Sequence, residues 1–327
     1  MSVKKTALRA AAATVASGLL TAGAVALAGS ASAATVANHG SSYRFQTIDN
    51  PHDPTFNQLL GINDEGVIAG YFGSGAQDHP NRGYVIPPFN RGYFSSENFP
   101  GSVQTQVTGL NNRGVTVGFW SSVNTASMSN DNFGFVDVDG HFRNADFPTG
   151  DPASPPVDQL LGVNDNDIAV GFFTNGQGNN RGYEYNISTG RYSRVTDPAA
   201  PGASLTAAAI NDLGHVAGFY VDGAGVTDGF LKAHGQFIRL AVPGASATTA
   251  LGVNNYDEVV GTYTVGSGSS AVMHGFTWTP QHGFRTVDDP HGMGTTTING
   301  VNDFGQLVGF YTDANGNTDG FLAAPQH

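Results

Sequence analysis

The chain of 327 residues contains no cysteine, few basic residues and no stretch with sustained helical periodicity. Without disulfides, its stability must come from a packed core and from backbone pairing. Lysine and arginine number 14 in total, against 26 aspartate and glutamate residues. Nucleic acids and anionic membrane surfaces are bound through clusters of basic residues. We therefore expect neither of them as a partner, whereas cations, neutral glycans and basic partners stay open.

The N-terminal segment 1–33 has a composition of its own. Three basic residues within the first nine positions precede an Ala/Leu/Val-rich run that ends at Ala31-Ser32-Ala33. This order predicts a secretory signal peptide over 1–33, followed by a short linker over 34–42. A membrane anchor is the alternative, but Gly, Ser and Thr interrupt the apolar run. Cleavage would remove three basic residues and no acidic one, so we expect a secreted, extracellular chain with a net charge of about −15.

What is abundant is an internal repeat. Six times a small residue and a branched aliphatic residue precede Asn, then Asp or Asn, and a turn. The six Asn anchors are Asn63, Asn111, Asn164, Asn211, Asn254 and Asn302, in steps of 48, 53, 47, 43 and 48 along the sequence. A glycine follows seven residues after each anchor, namely Gly70, Gly118, Gly171, Gly218, Gly261 and Gly309. Self-similarity at this period indicates a repeat architecture.

Each repeat is predicted to contain four strands. In the first copy, 58–62 and 67–72 are strands joined by the tight turn 63–66, and a third strand opens at Gly83-Tyr84. A short turn then leads to a fourth strand, as in 284–288 before Pro290. Four strands in about 48 residues match one propeller blade, so the sequence predicts an all-β, six-bladed β-propeller over 43–327.

The two ends of the repeat region complement each other. The last copy stops after its third strand, at 320–324, whereas Phe45-Gln46-Thr47-Ile48-Asp49 parallels 284–288 of the fifth copy. We therefore predict that the N-terminal strand completes the last blade and closes the ring, which removes an open sheet edge. The strand before each Asn is then innermost. The Asn turns lie on one face of the ring, and the longer connections lie on the other face, where a binding site is expected.

The repeated phrase resembles a known family. Gly61-Ile62-Asn63-Asp64, followed about twenty residues later in one copy by His274-Gly275-Phe276, is similar to the extracellular HAF-repeat proteins of bacteria, over roughly 43–324. The resemblance implies secretion and a repeat fold, but it implies no settled activity. Only one copy keeps the family's histidine. The other copies have Arg82, Phe133, Arg181, Asp228 and Asp319 there, so no repeated histidine site is carried over.

Two loops share a Pro-His step that the other repeats lack. These are Asp49-Asn50-Pro51-His52-Asp53 and Asp288-Asp289-Pro290-His291. Imidazoles flanked by carboxylates can bind a divalent metal or transfer protons. This predicts a catalytic group composed of His52, His291, Asp49, Asp53 and Asp289. The alternative is that both are polar surface loops retained from duplication.

Two further sets of polar residues are candidates for ligand binding. Alternating oxygen ligands at Asp313, Asn315, Asn317 and Asp319 suggest a Ca²⁺ site, but we favour an Asp/Asn/Gly-rich hairpin, because no Glu follows to close a bidentate site. Polar residues that precede the inner strands are predicted to line the channel mouth and to bind a neutral ligand. They are Asn57, Gln58, Gln104, Gln106, Asp158, Gln159, Thr206, Thr248 and Thr296.

Three functions stay open from these residues. The first is a monomeric extracellular module that binds a glycan or another extracellular ligand or protein on the long-loop face. The second is a polysaccharide hydrolase or lyase that uses His52 and His291. The third is a surface protein stabilised by Ca²⁺ or another divalent metal. No catalytic motif with a known sequence signature occurs in the chain, so we favour the binding module.

Overall fold

The computed structural model describes residues 43–125 and 129–326. The predicted signal peptide (1–33) and linker (34–42) lie outside these residues. Among the described residues, no helix has the length and apolarity needed to cross a membrane.

The described secondary structure consists of strands β1 to β24 and a 3-10 turn at Gly268–Ser270. Strand β1 is Tyr43–Thr47. Blade 1 contains β2 (Asn57–Ile62), β3 (Ile68–Phe72), β4 (Arg82–Ile86) and β5 (Ser95–Ser96), and blade 2 contains β6 (Gln104–Leu110), β7 (Thr116–Ser121), β8 (Phe133–Val138) and β9 (His141–Asn144). Blade 3 contains β10 (Asp158–Val163), β11 (Ile168–Thr174), β12 (Asn180–Asn186) and β13 (Arg191–Arg194), and blade 4 contains β14 (Ser204–Ile210), β15 (Val216–Val221), β16 (Thr227–Ala233) and β17 (Gln236–Leu240). Blade 5 contains β18 (Ala247–Val253), β19 (Val259–Val265), β20 (Val272–Thr279) and β21 (Gly283–Thr286), and blade 6 contains β22 (Thr297–Val301), β23 (Leu307–Thr312), β24 (Thr318–Pro325) and β1.

These strands form six antiparallel four-stranded sheets arranged as a propeller, as the sequence predicted. The sixth sheet has the order β1-β24-β23-β22, so its outermost strand comes from the start of the described chain. Tyr43 pairs with Pro325 and Thr47 pairs with Phe321. The predicted ring closure is therefore confirmed, and the last blade has no unpaired β24 edge.

Glycines allow the blades to approach one another and their own inner strands. A methyl group on Gly109 would lie 2.8 Å from Leu161 O and 2.9 Å from Gly162 Cα of the next blade. A methyl group on Gly118, seven residues after the Asn anchor, would lie 2.0 Å from Gln106 O. Both distances are too short for a Cβ atom, so the repeated glycines are explained by close backbone contact.

The hydrophobic core is divided among the seams between neighbouring blades. One cluster of buried residues lies at each of the six seams. The aromatic residue that opens the third strand is fully or almost fully buried in every blade: Tyr84, Phe135, Tyr183, Phe230, Phe276 and Phe321. Burial of each such side chain contributes about 1.5–3 kcal/mol. Aromatic repetition therefore serves packing between blades.

The six Asn anchors form a closed ring of hydrogen bonds between blades. Each Nδ2 donates to the backbone oxygen of the anchor in the next blade, from Asn63 to Asn111 at 3.0 Å and finally from Asn302 back to Asn63 at 3.1 Å. Each Oδ1 accepts from the backbone amide four residues later in its own turn. One side chain thus closes a hairpin and joins two blades.

The residues that follow the anchors form a second ring. Each backbone amide donates to the Oδ1 atom of the equivalent residue in the next blade, at 2.7–2.8 Å. The members are Asp64, Asn112, Asp165, Asp212, Asn255 and Asp303. We call the face with these turns the turn face and the opposite one the loop face.

Candidate functional site

Both Pro-His loops are tight turns closed by the residue before the proline. Asn50 accepts hydrogen bonds from the amides two and three residues later, at 2.9 and 3.0 Å. Asp289 does the same at 2.8 and 3.0 Å. Asp197 closes the corresponding Asp-Pro loop of blade 3 in the same way, at 2.8 and 3.1 Å, without a histidine. Turn chemistry therefore accounts for the resemblance between these loops.

In the described residues, each of the two histidines lies outside any cluster of three metal-ligating side chains. His52 is exposed, and Asp53 instead pairs with His79, whose Nε2 lies 2.5 Å from Asp53 Oδ2. His291 is 69% exposed, with Nδ1 at 3.2 Å from Asp289 Oδ1. Among residues 43–125 and 129–326, the one group of three or more His, Asp or Glu ligand atoms within 4.8 Å contains none of these residues. Both the shared metal site and the acid–base role of these loops stay predictions.

Two of the predicted carboxylates have shifted pKa values. Burial, together with the charge of Asp319, raises the pKa of Asp49 to about 6, although Asp49 Oδ1 accepts a hydrogen bond from Gly320 N at 3.1 Å. Burial also raises the pKa of Asp289, which has no exposed surface. The Asp289 Oδ2 atom has no hydrogen-bond partner among the described residues. Both groups lie on the loop face beside blade 6.

The predicted calcium residues form a hairpin with its own hydrogen bonds. Asp313 Oδ1 accepts from the backbone amides of Asn315 and Asn317, both at 2.8 Å. Asp313 Oδ2 accepts from the side-chain amides of the same residues, at 3.1 and 3.2 Å. Burial alone would raise the pKa of Asp313, but these four bonds outweigh it and lower the value. Asn315 and Asn317 therefore present nitrogen rather than oxygen atoms to the carboxylate, as in an Asx hairpin.

The polar residues predicted to line the channel mouth are all buried, with exposures of 6% or less. Asn57, Gln58, Gln104, Gln106, Asp158, Gln159, Thr206, Thr248 and Thr296 each have at least one hydrogen bond to the protein. For example, Gln106 Nε2 donates to Asn81 Oδ1 at 2.8 Å, which ties an inner strand to a loop of the preceding blade. In the described structure these side chains therefore connect the inner strands to loops or to other strands.

Asp158 shows how strongly this position is buried. The Tyr183 hydroxyl donates to Asp158 Oδ1 at 2.5 Å, and Phe147 N donates to Oδ2 at 2.8 Å. Burial nevertheless raises the pKa of Asp158 to about 8, because removing the carboxylate from water outweighs these two bonds. Blade 1 has a neutral amide in the same place, where the Tyr84 hydroxyl donates to Asn57 Oδ1 at 2.5 Å.

On the turn face, the second ring encloses a central depression of about 70 Å³. Four carboxylates and two amides line it, and the Nδ2 atoms of Asn112 and Asn255 each bridge two neighbouring carboxylates at 2.9 Å. This volume is well below the roughly 300–1,000 Å³ of small-ligand pockets. The depression is thus too small for a sugar.

A cleft with convergent polar groups lies on the loop face, in the seam between blades 3 and 4. We call it the 3–4 groove, and its volume is about 700 Å³. Its walls are the loops that precede β12 and β14 and the loop that follows β15, and its polar lining residues are Asn179, Asp197, Ser204, Tyr220, Asp222, Asp228 and Arg239. Arg181 Nη1 donates to the backbone oxygens of Gly202 and Ala203, at 2.8 and 3.0 Å, and holds one wall. A volume of this size suits a small ligand.

An ion pair fixes the polar groups at one side of the 3–4 groove. Arg239 Nε and Nη2 lie 2.7 and 2.6 Å from Asp228 Oδ2. Asp228 is 4% exposed, whereas Arg239 is 58% exposed, and both residues line the groove. The hydrogen bond and the charge of Asp228 raise the pKa of Arg239 further, so it stays protonated. Burial raises the pKa of Tyr220, whose hydroxyl stays neutral.

Sequence reasoning missed this groove. Asp228 stood out only as a departure from the family's histidine, and Asp197 lies at the loop position that precedes the Pro-His steps elsewhere. The sequence did contain one signal for it: an Asp-Pro step occurs after the last strand of blades 3 and 5, and an Asn-Pro step occurs before blade 1. What could not be inferred was which of these loops would border an open cleft.

Comparisons with known proteins agree with the fold. No protein-family model matches the chain, and no curated protein matches it either. AofleA from Arthrobotrys oligospora is similar with a TM-score of 0.51 and 10% identity, covering 86% of this chain and 85% of its own. A fungal lectin described as a six-bladed β-propeller, Aleuria aurantia lectin, matches at 0.47 and 12%, covering 84% of this chain and 98% of its own. TolB from Acinetobacter baumannii matches at 0.46 and 11%, covering 79% of this chain, and the match spans 64% of TolB's own length. At these identities the likeness concerns the propeller fold, in which this chain has six blades of four strands.

Proposed function

We propose that this protein is an extracellular carbohydrate-binding module and that its ligand, a neutral sugar, binds in the 3–4 groove. Secretion, which rests on residues 1–33, and membership of the HAF-repeat proteins, which rests on the repeated phrase, are parts of the same proposal. The observation that carries the proposal is the convergence of Asp228, Arg239 and Asp197 in a cleft of about 700 Å³ on the loop face.

The chemistry of the 3–4 groove fits vicinal hydroxyl groups. A carboxylate accepts two hydrogen bonds in one plane, and a guanidinium donates several in a fixed fork. Asp228 and Arg239 are already oriented by their contact at 2.6 Å, so binding would cost little side-chain ordering. Small residues, among them Ala200, Gly202 and Gly223, leave room for a ring above them.

The charge of the 3–4 groove selects among sugars. Three carboxylates, on Asp197, Asp222 and Asp228, face one guanidinium, on Arg239. This excess of negative charge opposes uronic acids and sulfated sugars, because like charges in a partly buried cleft repel. A neutral or amino sugar is therefore the class of ligand that we expect.

A screen of the purified, tag-free protein against neutral, acidic and sulfated glycans tests the proposal, with titration calorimetry for each hit. We expect binding of a neutral glycan that weakens at least tenfold in Arg239→Ala and in Asp228→Asn, since each change removes charged hydrogen bonds to the ligand. Arg191→Ala is the matched control, because Arg191 is an exposed arginine of the neighbouring outer strand and does not line the groove.

Two results would count against this proposal. Binding that is unchanged in both groove variants would place the ligand elsewhere, and preference for uronic or sulfated chains would contradict the charge argument. Release of shortened or unsaturated products would replace the binding module with the hydrolase or lyase hypothesis. In that case His52→Ala and His291→Ala would test the predicted acid–base residues directly.

A further inference from the structure

The seam between blades 4 and 5 departs from the repeat at three positions on the turn face. His215, four residues after its Asn anchor, occupies a place that is aliphatic in the first three blades and is Glu258 or Gln306 in the last two. Asp257, three residues after the next anchor, occupies a place that is glycine in four blades. His234 begins the two-residue turn between β16 and β17, where blade 2 has Asp139. All three departures come together at one seam.

These side chains are in mutual contact. His215 Nδ1 lies 2.7 Å from Asp257 Oδ1, and the His215 and His234 rings are perpendicular with centroids 4.3 Å apart. One ligand atom from each of the three residues lies within 4.8 Å of the other two. Asn211 Nδ2 also donates to Asp257 Oδ1, at 3.1 Å, and so fixes the carboxylate relative to the inner ring.

The backbone supports two of these residues at a conformational cost. His234 has φ of 51° and Asp257 has φ of 58°, in the left-handed region that glycine adopts most easily. In the His234-Gly235 turn both residues have positive φ, a geometry for which Asn-Gly and Asp-Gly are the favoured pairs. Glycine would adopt these φ values at a lower cost than either His234 or Asp257.

We propose that His215, His234 and Asp257 form a binding site for a divalent transition-metal ion, with Zn²⁺ as the best-matched ion, that joins the turns of blades 4 and 5. Two imidazoles and one carboxylate, with water in the fourth position, are a common Zn²⁺ ligand set, whereas Ca²⁺ and Mg²⁺ prefer oxygen ligands alone. The proposal is independent of the carbohydrate ligand, because it concerns the opposite face of the ring.

The site requires only small side-chain movements. Zn²⁺ bonds of about 2.0–2.2 Å in a tetrahedron place ligand atoms about 3.3 Å apart. The present arrangement spans 2.7 Å to at most 4.8 Å, so it is near this spacing. His215 and Asp257 are mostly buried, with side-chain exposures of 8% and 17%. His234 is exposed and can rotate without disturbing the core.

The seam between blades 2 and 3 provides an internal comparison. It has an aspartate at the same turn position, Asp167, also at positive φ (59°). There Asp167 pairs with Arg113, and Val115 takes the place of His215. An arginine has no metal-ligating lone pair at neutral pH, so the same aspartate belongs to an ion pair in one seam and to a ligand set in the other.

The test uses the full chain without an affinity tag, stripped with EDTA and then titrated with ZnCl₂ by calorimetry. We expect one Zn²⁺ per chain and a rise in melting temperature on loading. His234→Asn keeps a residue suited to positive φ, and Asp257→Gly restores the residue of four other blades, so both variants should fold. Each should bind Zn²⁺ at least tenfold more weakly and lose most of the rise in melting temperature.

His282→Asn is the matched control, because His282 is an exposed histidine in the equivalent turn of blade 5 and should bind Zn²⁺ like the unaltered chain. Co²⁺ substitution adds a readout, since tetrahedral coordination by nitrogen and oxygen gives visible absorption that His234→Asn should abolish. The proposal is overturned if the unaltered chain takes up no Zn²⁺ at millimolar concentration, or if His234→Asn binds it as tightly as His282→Asn does.

Discussion

The turn face and the loop face use the same residue types in different ways. On the turn face, an asparagine such as Asn164 is 4% exposed, accepts two hydrogen bonds within its own turn and donates one to the next blade. On the loop face, Asn315 and Asn317 bond to Asp313 in one exposed hairpin and to no other blade. The first arrangement must repeat for the ring to close, whereas the second is free to vary. Repetition therefore identifies the contacts that close the ring, whereas residues of an exposed hairpin can vary without affecting it.

Breaking one link of the inner ring should have the largest effect. We expect Asn164→Ala to lower the free energy of unfolding by about 2–4 kcal/mol, because the part-buried Asn166 N and Ile168 N lose their acceptor and the buried Asn211 O keeps only Gly214 N as a donor. A change of this size corresponds to a fall in melting temperature of roughly 5–15 °C, measurable by calorimetry. A fall of less than about 2 °C would show that the ring is not a source of stability.

Replacing Asp158, at the loop-face end of an inner strand, should have an intermediate effect on stability, and the size of this effect should depend on pH. The pKa of Asp158 is about 8 in the fold and 3.8 without it, so the folded protein binds the proton more tightly. Burial of Asp158 therefore reduces stability progressively as pH rises from about 4 to about 8, by an amount on the order of a few kcal/mol. We expect Asp158→Asn, which introduces the residue type of Asn57, to flatten this part of the stability curve.

Melting temperatures of both forms between pH 4 and pH 9 check this prediction. In Asp158→Asn, the new side-chain amide turns an N–H towards Phe147 N. Compared with the unaltered protein, the variant should therefore be less stable at pH 4 and relatively more stable at pH 8. Parallel curves for the two forms would contradict the role of Asp158. Asn57→Asp is the reciprocal control and should add a slope of the same sign.

The smallest effect is expected for an asparagine on the loop face. Asn315→Ala removes hydrogen bonds of an exposed hairpin and should change stability by no more than about 0.5 kcal/mol. The measurement is the same thermal melt as for Asn164→Ala. Similar losses for the two substitutions would remove the distinction between the faces. A loss confined to Asn164→Ala would confirm that position in the ring, and not residue type, sets the contribution.

The fold was accessible from the sequence because its signals are local. Alternating strands, a turn with glycine or aspartate at the left-handed position, and the regular recurrence of the Asn phrase can each be recognised from the printed sequence. Closure by 43–47 also followed, since the last copy lacked its fourth strand and the first residues of the repeat region supplied a matching one. The repeated aromatic residues were accessible in the same way, because recurrence at one strand position indicates packing.

The candidate sites were harder to predict from the sequence than the fold. The Pro-His loops drew attention because they differed from the other repeats, yet Asp53 pairs with His79, which lies in a different loop. Similarly, His215 and Asp257 belong to different repeats and share no recognisable motif, but their side chains are 2.7 Å apart in the seam. Sequence patterns report spacing along one strand or turn. They do not report which side chains of two neighbouring blades face each other.

By itself, the sequence determined the number of blades, the position of each turn, the innermost strands and the way in which the ring closes, because hydrophobic alternation and turn chemistry act over a few residues. The tertiary structure decided which residues of adjacent blades meet. It joined the Asn anchors into a ring, opened the groove beside Asp228 and Arg239, and placed two histidines against Asp257. These contacts link residues of different strands and blades, or the two ends of the repeat region, and their distances are set by sheet pairing, twist and closure of the whole ring.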